Sequence, residues 1–388
     1  MSGLSTVDLG LRVGDGFPGP APARLMQALR GVEVTQRDEV PCGFQLTFLA
    51  EVAGPGDVFS VASDPLLAPF NRVCVRVAVD GFPMTLIDGF ITHQQFLPGN
   101  GPDEATFVVT GEDVSVKMAM LEWSREYPAM PDAAKVATVL TPWLALGIAP
   151  EIIPSLMSLV PVDFVPQQAE SDRALLQRLA QANGNVFAIQ PTPIPYVNTA
   201  YWGPPQRDLP PSALIDVAVG PASTADSFQA EFDALAPQTT AGVVIEREIE
   251  PFVPVPVITT MSTRMPPLAA DPALSIETGL LSVRRRLWCN DQLDPVLANL
   301  QAQSETDLST DAVVTVTAGV TPARLGKVVT APGVVGVRGT GQAYDGLYYV
   351  KQATHQIGLR AGQGWDYTQQ LTLTREGTGT TTTVLEAL

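Results

Sequence analysis

The sequence predicts a β-rich α+β fold, with a β-rich unit at each end and helices between. Three observations predict it: alternating apolar and polar runs recur towards both ends, turn residues are abundant, and helical spacing is confined to a few short segments. The 388 residues include 35 Pro and 32 Gly, so turns are frequent and long helices few. A chain of this length divides into roughly two to four domains. Hydrophobic residues make up 45% and the mean hydropathy is +0.15, which provides packed cores and argues against disorder.

The first third reads as strands and turns. Gly31–Gln36 and Gly43–Leu49 alternate, as do Arg72–Val79, Phe82–Thr92 with Asp88-Gly89 as turn punctuation, and Ala105–Thr110. Such spacing suggests a small barrel or sandwich. Gly111-Glu112-Asp113 introduces Val114–Leu121, the expected first helix, with acidic charge at its positive end. Asp132–Leu146 reads as a helix capped by Asp132, with Pro142 threatening a break. A short apolar segment ends near Val165. Ser171 or Asp172 can cap the next helix, where Leu175, Leu176 and Leu179 share a face; Asn183-Gly184-Asn185 stops it before the strand Val186–Ile189. Pro191–Pro211 reads as loop or extended chain.

Further strands are expected at Leu214–Val219, Ser227–Leu235 and Val243–Glu248, followed by a proline-rich crossing segment over Pro251–Pro267. Asp291–Gln303 is expected to be helical, with Asp294-Pro295 near its first turn. The tail returns to strands at Ala312–Ala318, Val328–Val337, Leu347–Gln356 and Trp365–Arg375, and Gly377–Thr383 is expected to fray. No short-period repeat is present.

Forty acidic against 23 basic residues give a net charge of −17. Such a surface repels phosphates, so no specific nucleic-acid binding is expected. The acidity reads as solubility or, more sharply, as the lining of a passage for polyanions or cargo. Cys42, Cys74 and Cys289 are widely spaced and form no CxxC pair, so free buried thiols are expected rather than a disulfide framework or zinc site. Met1–Gly10 lacks a signal-peptide pattern and no apolar run approaches the ~18 residues of a membrane helix. A chain made in the cytoplasm and not inserted in a membrane is the expectation.

No catalytic, cofactor-binding or metal-ligating residue is assigned, and no cofactor is expected. The only histidines, His93 and His355, sit near expected strand ends and form no cluster. No GxSxG elbow, phosphate-binding loop or strand-linked GxGxxG occurs; Gly339-Thr340-Gly341 reads as a turn. The carboxylate pairs Asp38-Glu39 and Glu112-Asp113 read as structural, because adjacency fixes no separation across a substrate. Arg284-Arg285-Arg286 reads as a solvated turn with Leu287 and Trp288 tucked beneath, or as a contact for an acidic partner.

Two motif groups carry a family resemblance. The first is Gly339-Thr340-Gly341, Tyr344-Asp345-Gly346-Leu347-Tyr348-Tyr349-Val350, Thr354-His355 and then Tyr367–Arg375 with Gly377. The second is Gln168-Ala169-Glu170-Ser171-Asp172 running into Leu176-Gln177-Arg178-Leu179-Ala180 and Gly184-Asn185-Val186-Phe187. In order and spacing these resemble the phage late control protein D family, which includes tail hub proteins and the N-terminal half of VgrG spikes, over roughly the last 220 residues. Each motif also has a folding reason: Asp345-Gly346 makes a tight turn before Tyr348 and Val350 on one strand face, and Glu170–Asp172 starts a helix.

The resemblance implies two related antiparallel β-barrel, tube-like domains linked by smaller α/β parts. Residues 1–112 are expected to form the first barrel, 113–208 a linking domain, and 209–255 with 311–388 a discontinuous second barrel; 256–310 would be a crossing segment with a helix, packed on the linking domain. It further implies a baseplate hub: a homotrimer whose six near-equivalent barrels adapt a hexameric tail tube protein to a trimeric spike protein, with baseplate wedge proteins around it. Exposed strand edges would make the contacts. The chain stops at Leu388 with no following β-helix, so the spike is expected to be a separate polypeptide. Phage, bacteriocin and injection system all remain open. A β-rich adhesin or binding module ranks second, and a carbohydrate-acting hydrolase third.

Overall fold

The computed structural model describes residues 7–50, 61–99, 105–154, 165–217, 223–246, 253–274, 283–288, 294–360 and 364–381. Cys289, and the parts of the expected elements reaching Val219, Glu248, Asp291 and Thr383 or running up to residue 164, lie outside the described residues.

The N-terminal strands are β1 (Val7–Gly14), β2 (Leu29–Arg37), β3 (Gly43–Leu49), β4 (Arg72–Val79), β5 (Phe82–Leu97) and β6 (Thr106–Asp113), with one short helix, α1 (Ala23–Ala28), before β2. They pair antiparallel in the order β1-β4-β5-β6-β3-β2. Alternation sets the faces: Val32, Val34, Phe44, Leu46 and Phe48 enter the core, while Glu33, Thr35 and Gln45 stay outside. The first helix is thus α1, and Val114–Ala119 is a 3-10 turn capped by Asp113, whose carboxylate accepts from Ser115 N at 2.9 Å. The β4–β5 turn is Asp80-Gly81, both at positive φ (51° and 84°), rather than Asp88-Gly89. Asp88-Gly89 lies inside β5 because Asp88 is needed for an ion pair and Gly89 for a close approach: a Cβ there would stand 2.1 Å from the carbonyl oxygen of Glu112.

The middle of the chain forms β7 (Glu122–Glu126), α2 (Asp132–Leu140), β8 (Ile148–Ile152), β9 (Gln167–Ser171), α3 (Asp172–Ala182), β10 (Val186–Pro191) and β11 (Asn198–Gly203). Pro131, not Asp132, occupies the N-cap of α2, and Pro142 converts the continuation into a 3-10 helix over Thr141–Leu146. Ser171 caps α3, accepting from Ala174 N at 3.3 Å. The expected loop over 191–211 contains β11, which pairs with β10 and, in parallel, with β8. Its prolines flank the strand instead of interrupting it. Leu175, Leu176, Leu179, Phe187, Trp202 and Val136 close a separate core here.

The remainder comprises β12 (Leu214–Asp216), β13 (Ala225–Phe232), β14 (Gln238–Glu246), β15 (Val253–Ile258), β16 (Ala269–Pro272), β17 (Arg284–Trp288), α4 (Pro295–Thr310), β18 (Val314–Val320), α5 (Pro322–Leu325), β19 (Gly333–Arg338), β20 (Gly346–Arg360), β21 (Gly364–Arg375) and β22 (Gly377–Thr380). The proline-rich crossing segment is partly strand: β15 pairs with β14, which also pairs with β17. The glycine-threonine tail is held as well, since β22 pairs with β16.

The two ends of the chain meet through the long strands β20 and β21. The first part of β20 pairs with β19, and after a register shift at Val350/Gln352 the rest pairs with β2. One twelve-stranded sheet therefore runs through both ends, β1-β4-β5-β6-β3-β2-β20-β21-β18-β13, with β19 and β12 branching from β20. Two apolar cores lie along it. Ile357 and Tyr367 join the first, while Tyr348, Val350, Leu371 and Leu373 belong to the second. Each fully buried aliphatic or aromatic side chain contributes about 1.5–3 kcal/mol, so these cores rather than ladder bonds to solvent-facing edges hold the sheet.

Candidate functional site

The sheet face opposite the cores is polar and open. Following cross-strand partners, one row runs Glu112, Gly43, Thr35, Thr354, Gln370, Gly319, Ser227 from β6 to β13. A second runs His93, Thr110, Gln45, Glu33, Gln356, Thr368, and a third Arg37, Gln352, Thr372, Thr317, Gln229. Because side chains alternate with a period of two, these residues share one face. Most are Thr, Gln, Ser or Gly, and the charges among them are few. Thr35 Oγ1 lies 3.5 Å from Thr354 Oγ1, Arg37 Nε donates to Gln352 Oε1 at 3.1 Å, and Gln356 Nε2 to Glu33 Oε2 at 3.4 Å, which ties β2 to β20 across the join. An open groove of about 470 Å³ over this face is lined by Glu33, Thr35, Arg37, Gln45, Thr110 and Glu112, among others. The face is thus close to neutral, whereas an acidic lining was one reading of the net charge.

Behind it, buried polar groups lock the parts together. Arg72 of β4 pairs with Asp88 of β5 through two bonds of 2.8 and 2.6 Å, both side chains 1% exposed, and Asn198 of β11 donates to the same carboxylate at 2.7 Å. The guanidinium also lies over the rings of Phe17, Phe90 and Tyr196. A second network centres on Arg207, which pairs with Glu376 at 2.7 Å and Asp311 at 2.6 Å; Arg264 pairs with Asp311 at 2.8 Å and donates to the Gly184 carbonyl at 2.6 Å. Ser304 of α4 donates to the Gln181 carbonyl at 2.6 Å. Gln36 and Gln369 clamp the segment before β19: Ala331 N donates to Gln36 Oε1, and Gln369 bonds both N and O of Val329. These arginines and glutamines carried no sequence signal because each is isolated in the chain and meets partners from about 14 to about 300 residues away.

The titratable candidates are accounted for structurally. His355 lies mid-strand and buried, not at a strand end; its Nδ1 is hydrogen-bonded with Tyr367 Oη at 2.7 Å, and burial lowers its pKa to about 3. His93 is exposed within β5. Asp38 is buried, and desolvation reinforced by Glu39 raises it to about 7, while Glu39 pairs with Lys351 at 3.0 Å. Glu112 pairs with Arg173 at 2.6 Å, and buried Asp113 accepts from Cys42 N and Ser115 N. Glu170 pairs with Arg178 at 2.7 Å; Asp172 accepts from Gln168, Trp143 and Arg125. Glu112 and Asp113 are neighbours within β6 and so point to opposite faces, whereas Asp38 and Glu39 lie in the bend after β2, one buried and the other paired with Lys351. Cys42 and Cys74 are free and buried, and desolvation pushes both thiols up to about 12, which keeps them protonated and unreactive. Among the described residues no three metal-ligating side chains come together, and no helix is long and apolar enough to cross a membrane.

Two further surfaces stand out, the first of them a departure from expectation. Arg284–Trp288 is a strand, and Leu287 is 83% exposed rather than tucked beneath. At the end of the large sheet, one edge of β13 is unpaired among the described residues. Asp233 N bonds Val313 O, which by alternation turns the backbone N–H and C=O groups of Phe228, Ala230 and Phe232 away from β18.

No family model matches the chain, and no curated protein matches it in sequence. Solved structures do. The tail protein of Neisseria meningitidis MC58 is 13% identical over 95% of this chain and 97% of its own, with a TM-score of 0.61. The 43 kDa tail protein of prophage MuSo2 from Shewanella oneidensis is 13% identical over 96% and 99%, with a TM-score of 0.63. A type VI secretion component of Escherichia coli, described as structurally similar to the T4 tail proteins gp27 and gp5, is 10% identical over 89% and 73%, with a TM-score of 0.53. The chain has the fold of these phage and prophage tail proteins.

Proposed function

We propose that the chain is a structural baseplate hub of a contractile, phage tail-like injection system, acting without catalysis. In this reading it trimerises, and residues 1–112 and 209–255 with 311–388 act as two tube-like units per chain. Three chains would then offer six near-equivalent docking surfaces to a hexameric tail tube protein and a threefold surface to a separate spike protein, with wedge proteins outside. Residues 113–208 and 256–310 serve as the linking parts. The observation that carries the reading is the polar row from Glu112 to Ser227, continuous over seven strands and both halves of the chain. A sheet face that wide, left open, neutral and free of apolar side chains along its rows, suits the wall of a passage through which cargo slides without sticking. The unpaired edge of β13 suits pairing with a neighbouring strand.

Negative-stain imaging and light-scattering mass of the purified protein, alone and with its neighbouring spike protein, test this. Threefold rings with a central hole are expected. A particle that stays monomeric in both samples, and after addition of tube protein, would instead favour a β-rich binding module.

A further inference from the structure

The small sheet β15-β14-β17 has one face covered and one bare. Val244 and Val257 pack on Ala298 and Ala302 of α4. On the opposite face, cross-strand register groups Val243, Ile245, Pro254, Pro256, Ile258 and Leu287, all exposed. A contiguous apolar patch on the order of a few hundred Å² marks an interaction site, whereas single exposed apolar residues do not.

The edge beside this patch is closed to strand addition. Thr259 N donates to Thr240 O at 2.9 Å, so with the observed register Pro254, Pro256 and Ile258 turn their backbone groups outward. Two of the three outward positions lack an N–H. A partner must therefore bind the face through side chains, in contrast to β13.

Among the described residues, one charge sits on this face. Arg285 neighbours Leu287 but one and shares its side of β17, while Arg284 donates to the Ala236 carbonyl and Arg286 pairs with Glu305. Among the described residues Arg285 is exposed with no ion pair, and the patch includes no carboxylate. Packing the patch against itself would bring Arg285 residues together with no carboxylate among the described residues of the patch to neutralise them. A different surface of the same chain, which carries 40 acidic and 23 basic residues, is rich in counter-charges. Six exposed apolar side chains cover on the order of a few hundred Å², less than the ~800 Å² per partner of a standard stable interface, so the patch acts beside another contact between the same two chains.

We infer that the Val243–Ile258–Leu287 face docks, with Arg285 meeting a carboxylate, onto a different surface of a second copy of this chain in a head-to-tail contact that closes a ring. This rests on the hub reading and names a surface that would hold the ring.

Sedimentation velocity over a hundredfold concentration range tests it on full-length wild type, Arg285→Glu and Leu287→Ser. Since both side chains are exposed, thermal midpoints within about 1 °C of wild type are expected, which separates docking from folding. Wild type should form a closed oligomer, and each variant should need at least tenfold higher concentration to do so. Unchanged association in both variants would overturn the assigned face and leave the hub reading standing. A wild type that is monomeric throughout would overturn both. A wild-type species of dimer mass, abolished by the substitutions, would overturn the head-to-tail geometry.

Discussion

At the scale of single residues, the acids differ in what they do, and two make opposite predictions. Asp88 neutralises Arg72 where both are 1% exposed. Removing one partner leaves a buried charge, so Asp88→Ala should lose about 3–5 kcal/mol in urea unfolding, while Arg72→Met with Asp88→Leu should lose much less. Equal losses in the two variants would show that the pair is not the source of the cost. Asp38 acts in the other sense. Its folded pKa, raised by burial to about 7, exceeds its ordinary 3.8, so the folded state retains a proton that the unfolded chain releases between those values. The stability tied to that proton is present at low pH and is lost as pH rises through 7. Asp38→Asn should therefore gain on wild type from about pH 4 to pH 8, by at most about 4 kcal/mol. Midpoints of thermal unfolding across that range decide it; a difference independent of pH would refute the assignment.

At the scale of elements, close approach and capping decide what the chain tolerates. Gly89 stands against the Glu112 carbonyl, and its φ is not in the left-handed region, so space alone forbids a side chain. Gly89→Ala should cost about 1–3 kcal/mol by pushing β5 from β6, measured by denaturant midpoint, whereas Gly81→Ala in the open turn answers to its positive φ alone. The same pair explains what was legible in the sequence. Alternation located β3 and β4 to the residue and β2, β20 and β21 closely, since β3 and most of β2 bury alternate residues. Asp-Gly was misread at 88–89 because turn chemistry is local, while the demand for Asp88 comes from Arg72 and Asn198 across the fold. β11 and β15 were hidden by prolines. In β15 these lie on the unpaired edge, where a missing N–H leaves no ladder bond broken. The polar face was legible residue by residue but not as a site, since its rows exist only once register joins strands more than three hundred residues apart, as Thr35 and Thr354 are joined.

At the scale of the whole molecule, the twelve-stranded sheet ends on an edge that differs from that of the small sheet. β15 presents prolines outward; β13 presents Phe228, Ala230 and Phe232 with intact N–H groups. Unprotected edges recruit strands, and proteins that do not use them blunt them. The two edges therefore imply a division: strand pairing at β13, side-chain docking on the small sheet. Ala230→Pro tests the first. Its N–H bonds nothing within the described chain, and edge strands accept proline, so the fold should persist with near-UV circular dichroism unchanged. The substitution removes the central donor of the edge, and association with a neighbouring chain should weaken about tenfold or more in sedimentation velocity. If the variant assembles as wild type does while Arg285→Glu does not, β13 is not a contact and the ring is held by the small sheet alone.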